Sequence, residues 1–191
     1  WNVANGVDAF MRRGGKVLVV DPRITPGSQR NADLHLRVKP GTDGLLANGI
    51  AGLIIRSGWH DRAYIEKYVH GFEEYAAYVT ALDLEEVSRV TTVPVEQIEA
   101  AARMIAQVKP MSVENNPTSI IHQTNGYQTA RAIFALTAIT GNYNTPGGNQ
   151  PLDFTFCEQG AGFHTGDEEF AVERAPAGFD TCRIGAERFP V

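Results

Sequence analysis

Cysteine is scarce: the 191 residues hold two, Cys157 and Cys182, far apart and with no Cys-x-x-Cys. Nothing in this sequence therefore supports an iron–sulfur cluster or a structural zinc within the chain; Cys157 and His164 read as ordinary loop residues rather than a metal pair. Long apolar runs are missing as well. The longest candidate, residues 45–55, is interrupted by Asn48 and falls short of the roughly 20 residues of a membrane span. Positive charge is in deficit, with 17 Lys and Arg against 22 Asp and Glu and a net charge of −5. That balance argues against a nucleic-acid partner, because neutralising phosphates takes a basic surface. Self-contained catalytic signatures are absent too: no Gly-x-Ser-x-Gly, His-Glu-x-x-His or P-loop is present, and no Gly-x-Gly-x-x-Gly follows the first expected strand. No catalytic and no metal-ligating residue is assigned in this chain, and binding is the expected role.

What is present is a globular composition. Apolar residues at 43% and charged residues at 20% lie near the average for folded domains and exclude disorder or a fibrous class. The start, Trp1-Asn-Val-Ala, lacks an initiator methionine and a leader, and the expectation is a piece of a longer protein. Residues 3–13 have helical spacing and stop at Gly14-Gly15. Residues 16–20 read as a buried strand closed by Pro22. Residues 31–38 alternate as a half-buried strand. Leu45, Leu46, Ile50, Leu53 and Ile54 form a helical stripe capped by Thr42 or Asp43 and ended by Ser57-Gly58. From residue 60 to 107 the chain reads as successive helices, Asp61 capping one and Pro94 opening another. Short extended pieces are expected at 111–113 and 119–122. A helix is expected over 126–141 with Ala130, Ile133, Phe134 and Thr137 inward.

This alternation predicts an α/β domain of three layers, Rossmann-like, with a mainly parallel sheet and helices on both faces. It covers residues 1–150. Residues 151–191 lose periodicity and are expected to be an irregular tail that packs on missing domains.

The candidate ligands follow from where a parallel sheet binds, at the carboxyl ends of its strands. Asp21 ends the first strand, and Asp43 opens the helix after the second. A carboxylate offers two acceptors, suited to paired ribose hydroxyls or to the adjacent N–H donors of guanine. Each acid also has a plainer reading, Asp21 as a turn former and Asp43 as a helix cap. One of Arg23, Arg30, Arg37 and Lys39 is expected to supply a cation for a pyrophosphate, the others being solvated. Gln123, where an extended piece meets a helix amino-terminus, offers both donor and acceptor. His35, His60, His70 and His122 read as structural.

The ordered set Val20-Asp21-Pro22-Arg23, Ala32-Asp33-Leu34-His35-Leu36, Lys39-Pro40-Gly41-Thr42-Asp43-Gly44 and Gln123-Thr124-Asn125-Gly126 resembles the molybdopterin oxidoreductases of the dimethyl sulfoxide reductase and formate dehydrogenase family. Ala135 to Asn142 and Thr145-Pro146-Gly147-Gly148-Asn149 extend the likeness over residues 1–150. The resemblance implies the middle, Rossmann-like domain of a large catalytic subunit that carries molybdenum or tungsten on two molybdopterin guanine dinucleotides. By position it implies that Asp21 and Asp43 contact the guanosine part of one dinucleotide. Pro22, Arg23, Gly41 and Thr42 would shape its pocket, Gln123 would approach the pterin, and Asn2 would belong to a Gly-x-Asn turn. It implies further that a [4Fe-4S] centre, the metal ligand and the grip on the second dinucleotide lie in other parts of the parent, together with an electron-transfer partner, and that this piece alone is inactive. Residues 114–118 depart from the family's glycine-rich approach to its glutamine. The alternative is a cofactor-free structural subunit of the same fold in an electron-transfer complex. A flavodoxin-like nucleotide module is disfavoured by the missing phosphate loop.

Overall fold

The computed structural model describes residues 3–114, 119–120 and 122–150, all within the first of two units, Trp1–Pro151. Asn2 and the expected tail lie outside the described residues. The elements run α1 (Val3–Arg12), β1 (Leu18–Val20), α2 (Pro26–Asn31), β2 (Leu34–Leu36), α3 (Asp43–Arg56), α4 (Arg62–Tyr68), α5 (Phe72–Thr80), α6 (Leu84–Thr91), α7 (Val95–Gln107) and α8 (Gly126–Ile139). β1 and β2 pair in parallel, Leu18 against Leu34, Val19 against His35 and Val20 against Leu36. The chain is thus α/β with a parallel sheet, as its pattern predicts, and the sheet has two strands among the described residues. No described helix is long and apolar enough to cross a membrane.

Three helices stop by the same device. In α1 the Gly15 N–H bonds the Phe10 carbonyl (3.1 Å) and Gly14 that of Met11 (2.9 Å). In α3, Trp59 bonds Ile54 (2.9 Å) and Gly58 bonds Ile55 (3.0 Å), and in α8, Asn142 bonds Thr137 (2.7 Å) and Gly141 bonds Ala138 (3.3 Å). These paired bonds are Schellman motifs, with glycine at the residue that turns left-handed. α2 is a helix the apolar pattern does not announce. Thr25 and Ser28 cap it reciprocally, Ser28 N–H to Thr25 Oγ1 (3.1 Å) and Thr25 N–H to Ser28 Oγ (2.9 Å), with Pro26 in its first turn.

The core is built around α3. Its sequence is apolar or small on every side, as a fully surrounded helix requires, and Leu46, Ala47, Gly49, Ile50, Ala51, Gly52 and Ile54 are all buried. α8, α5, α7 and α6 pack against it, adding Leu136, Val79, Ile98 and Val87 to the core, while β2 contributes Leu36. Burial of each large aliphatic side chain stabilises by about 1.5–3 kcal/mol. Glycine sets one of these approaches: a Cβ on Gly52 would lie 2.3 Å from the backbone carbonyl oxygen of Val79.

Four expectations are corrected. The strand over 31–38 shrinks to Leu34–Leu36, since Asn31 ends α2. Beyond the strand, the Val38 N–H turns to the Leu36 carbonyl (3.1 Å) and the Lys39 N–H to that of Thr91 (2.8 Å). Residues 111–113 are not a strand. Side chains take the place of a neighbouring strand: Asn142 Oδ1 accepts from the Met111 N–H (3.0 Å), and Asn149 both accepts from the Val113 N–H and donates to its carbonyl (2.8 Å each). Ser119 and Ile120 are helical rather than extended. In α8, Thr137 is buried and Ile133 packs against the core as expected, but Thr129, Ala132, Leu136 and Ile139 are also buried and Phe134 is 39% exposed.

Gly52→Ala should destabilise the chain by about 1–3 kcal/mol, the usual cost of overpacking a tight contact. The measure is the urea midpoint at unchanged slope, and an unmoved midpoint would contradict the close approach of α3 and α5.

Candidate functional site

Parallel pairing puts the carboxyl ends of β1 and β2 on one edge, and both acidic motifs follow those ends. Asp21 comes directly after β1. Its N–H bonds the Leu36 carbonyl (3.2 Å), and its carbonyl accepts from His35 Nε2 at 2.9 Å. The carboxylate folds over the next residues: Oδ1 accepts from the Arg23 N–H (2.7 Å), with the Arg23 Nε 3.6 Å away and that side chain 79% exposed. Oδ2 accepts no hydrogen bond from the described residues. Asp21 is therefore a turn former and a presented acceptor at once. Pro22 stands exposed beside it.

At the opposite end of β1, Asp33 ties the entry to the sheet. It takes a 2.7 Å bond from Lys16 Nζ and a 2.9 Å bond from the Val17 N–H. The Lys16 ammonium first, and the Val17 amide after it, hold its carboxyl below the usual carboxylate range.

After β2 the chain makes a tight turn. The Thr42 N–H bonds the Lys39 carbonyl (3.1 Å), and Gly41 has φ +86°, which is the type II geometry with Pro and Gly in the two central places. Thr42 stands at the cap position of α3, yet its hydroxyl donates to the Lys39 carbonyl (2.7 Å) and makes no cap bond. The first amides of α3 are left without a side-chain cap. Asp43 opens the helix, half-buried, its carboxylate without a hydrogen bond or ion pair from the described residues. Asn125 likewise makes no side-chain cap bond to α8.

α3 and α8 lie side by side in the same direction. A Cβ on Gly44 would sit 3.0 Å from Thr129 Oγ1 at one end, and the Asp61 N–H meets the Ile139 carbonyl at 2.8 Å at the other. Their amino-termini are consequently neighbours. Gln123 reaches the turn before α3: its Oε1 is 3.3 Å from where a Cβ on Gly41 would stand. Two motifs far apart in sequence, Lys39–Gly44 and Gln123–Gly126, meet here.

Of the residues expected at the site, Gly41, Thr42, Asp43 and Gln123 form one group, and Asp21, Pro22 and Arg23 a second on the same sheet edge. No described contact joins Asp21 to Asp43, and Asn2 lies outside the described residues. Sequence reasoning missed the support given by Asp33 and His35. The signal for His35 was its register, opposite Val19 and two residues short of Asp21. The structural reading of His60 stands: it packs on Phe72 with ring centroids 5.5 Å apart, and burial, then the Arg62 charge, pushes its pKa down.

Residues 5–177 match the family model described as molybdopterin oxidoreductase. The chain is 34% identical to formate dehydrogenase H of Escherichia coli over 144 residues, covering 75% of this chain and 20% of that protein. It is 35% identical to the probable oxidoreductase YoaE of Bacillus subtilis over 139 residues, 72% of this chain and 20% of that one. Among solved structures, acetylene hydratase from Pelobacter acetylenicus superposes with a TM-score of 0.68 at 34% identity, covering 72% of this chain and 19% of the other. The chain thus spans about a fifth of the length of the curated relatives it matches.

Gly41→Ala should cost about 1–2 kcal/mol for the left-handed backbone alone and push Gln123 away as well. Urea denaturation, with the Gln123 side-chain amide resonances as a second readout, checks this. Unchanged stability together with unmoved resonances would contradict the contact.

Proposed function

The chain belongs to the molybdopterin oxidoreductase family, and from that membership we propose that residues 1–150 hold the guanosine part of one molybdopterin guanine dinucleotide in a larger catalytic subunit. The observation that carries this reading is the meeting of Gly41 and Gln123 beside Asp43, on the sheet edge that also bears Asp21. Relatives with quite different printed names, a formate dehydrogenase, a dimethyl sulfoxide reductase and an acetylene hydratase, share this region. What they have in common fits cofactor binding better than substrate choice.

The residues present suit such a ligand. Asp43 and the Oδ2 of Asp21 are acceptors without described donors, matched to hydroxyl pairs or the N–H edge of guanine. The turn at Gly41 brings bare backbone to the surface, and the uncapped amides of α3 face the same region with the positive end of the helix dipole. Arg23, largely solvated and 3.6 Å from Asp21 Oδ1, can turn to pair with a phosphate. Gln123 would stand toward the pterin.

In the parent, the molybdenum or tungsten centre supplies two-electron or oxygen-atom transfer, and this domain orients the group that carries it. The metal ligand, a [4Fe-4S] centre, the second dinucleotide site and the contacts with an electron-transfer subunit belong to the rest of that subunit. The piece alone binds without turning over.

Calorimetry of the 191-residue chain with GDP tests the reading, with ADP as control. GDP should bind and ADP bind more weakly, and Asp21→Asn or Asp43→Asn should each weaken GDP by about tenfold or more, since hydrogen bonds to a charged group contribute about 1.5–3 kcal/mol. Absence of heat with GDP, or equal affinity for both nucleotides, would leave this domain a scaffold.

A further inference from the structure

We infer that His35 is a positioning residue for Asp21, fixing the direction in which the acid is offered to the nucleotide; the inference rests on the reading of Asp21 as a guanosine ligand. A residue that follows a strand and precedes a proline is poorly held. Pro22 has no N–H to return to the sheet, so the peptide between Asp21 and Pro22 cannot be fixed by an amide bond of its own. The ladder stops one residue short of the acid's side chain.

Three anchors compensate. The Asp21 N–H goes to the Leu36 carbonyl at 3.2 Å, the Asp21 carbonyl receives His35 Nε2 at 2.9 Å, and Oδ1 receives the Arg23 N–H at 2.7 Å. Only the second depends on a side chain from another strand. His35 pairs with Val19 in register and is half-buried, so its ring spans two residues along the edge to reach Asp21 from a fixed base. The carbonyl is an acceptor, so Nε2 carries the proton, and the ring acts here as a donor. With nitrogen, carbonyl and Oδ1 all held, Oδ2 is the one polar atom of Asp21 left for a ligand, and its direction follows from the other three. Removal of the imidazole would let the peptide plane rotate and the Asp21–Arg23 turn open, because the described contacts of Arg23 are with Asp21 itself.

His35→Leu keeps bulk and removes the donor, whereas His35→Gln restores an N–H donor on a side chain of similar reach. In the 191-residue chain, His35→Leu should weaken GDP by about tenfold, equivalent to about 1.4 kcal/mol. It should also speed exchange of the Arg23 amide by about fivefold while the Leu34 and Leu36 amides keep their protection. His35→Gln should recover both. A general loss of strand protection in His35→Leu that His35→Gln does not reverse would make His35 merely structural and overturn the inference. Wild-type GDP affinity and wild-type Arg23 exchange in His35→Leu would overturn it equally. If the wild type itself binds no GDP, the nucleotide reading falls separately, and Arg23 exchange in the two variants still decides whether His35 sets the turn.

Discussion

Enclosure of α3 is the constraint on which the rest depends. A helix touched by α8, α5, α7 and α6 can carry no charge on most of its sides, and no bulk where its neighbours come closest. Its middle accordingly reads Leu-Leu-Ala-Asn-Gly-Ile-Ala-Gly-Leu-Ile-Ile. Small residues set the spacing, with Gly49 under Val87 and Gly52 under the carbonyl of Val79. The exception, Asn48, is met by the Tyr75 hydroxyl at 3.2 Å. Because the core fixes this helix, it fixes the turn that precedes it. Lys39 is tied to Thr91 at the end of α6, Thr42 to Lys39, and Gly41 is thereby presented from a rigid base, as a binding constellation requires.

The second half of the site is lighter. Among the described residues two short strands make a small sheet, and its ends are secured by side chains rather than by length: Asp33 closes the entry and His35 the exit. α8 brings Gln123 to the same place because it runs alongside α3, and its far end is secured in turn. There Lys109 Nζ donates to the Thr140 carbonyl at 2.7 Å, a cation at the negative end of a helix. Asn142 and Asn149 hold residues 111–113 from the following loop. Polar side chains do at these edges what wider sheets do with neighbouring strands.

Much of this was legible in the sequence, for reasons that differ by element. α3, the helices through residue 107 and the stop glycines follow from periodicity and caps, which are local. Alternation of strands with helices predicted the parallel sheet, and with it the place of Asp43 at the opening of the helix after the second strand. The extent of β2 was not legible, because alternation over 31–38 counts apolar positions and not hydrogen-bond partners. α2 carried its signal in Thr-Pro-Gly-Ser, polar chemistry that an apolar pattern overlooks. In α8 the misread position is Phe134, which is large and apolar yet exposed, because the neighbouring α3 fits against Thr129. The meeting of Gly41 with Gln123 depends on two helices packing side by side, and no local pattern contains it.

The central claim is that one edge of this domain, assembled from Asp21–Arg23 and Lys39–Asp43, forms a single guanosine site with Gln123 on its pterin side. Titration of the isotope-labelled chain with GDP, followed by amide chemical shifts, tests it most directly. The account predicts that the largest shifts cluster at Asp21, Arg23, Gly41, Thr42 and Asp43 and saturate together with one affinity. Shifts confined to α4–α6, or separate affinities for the Asp21 and Asp43 groups, would contradict it.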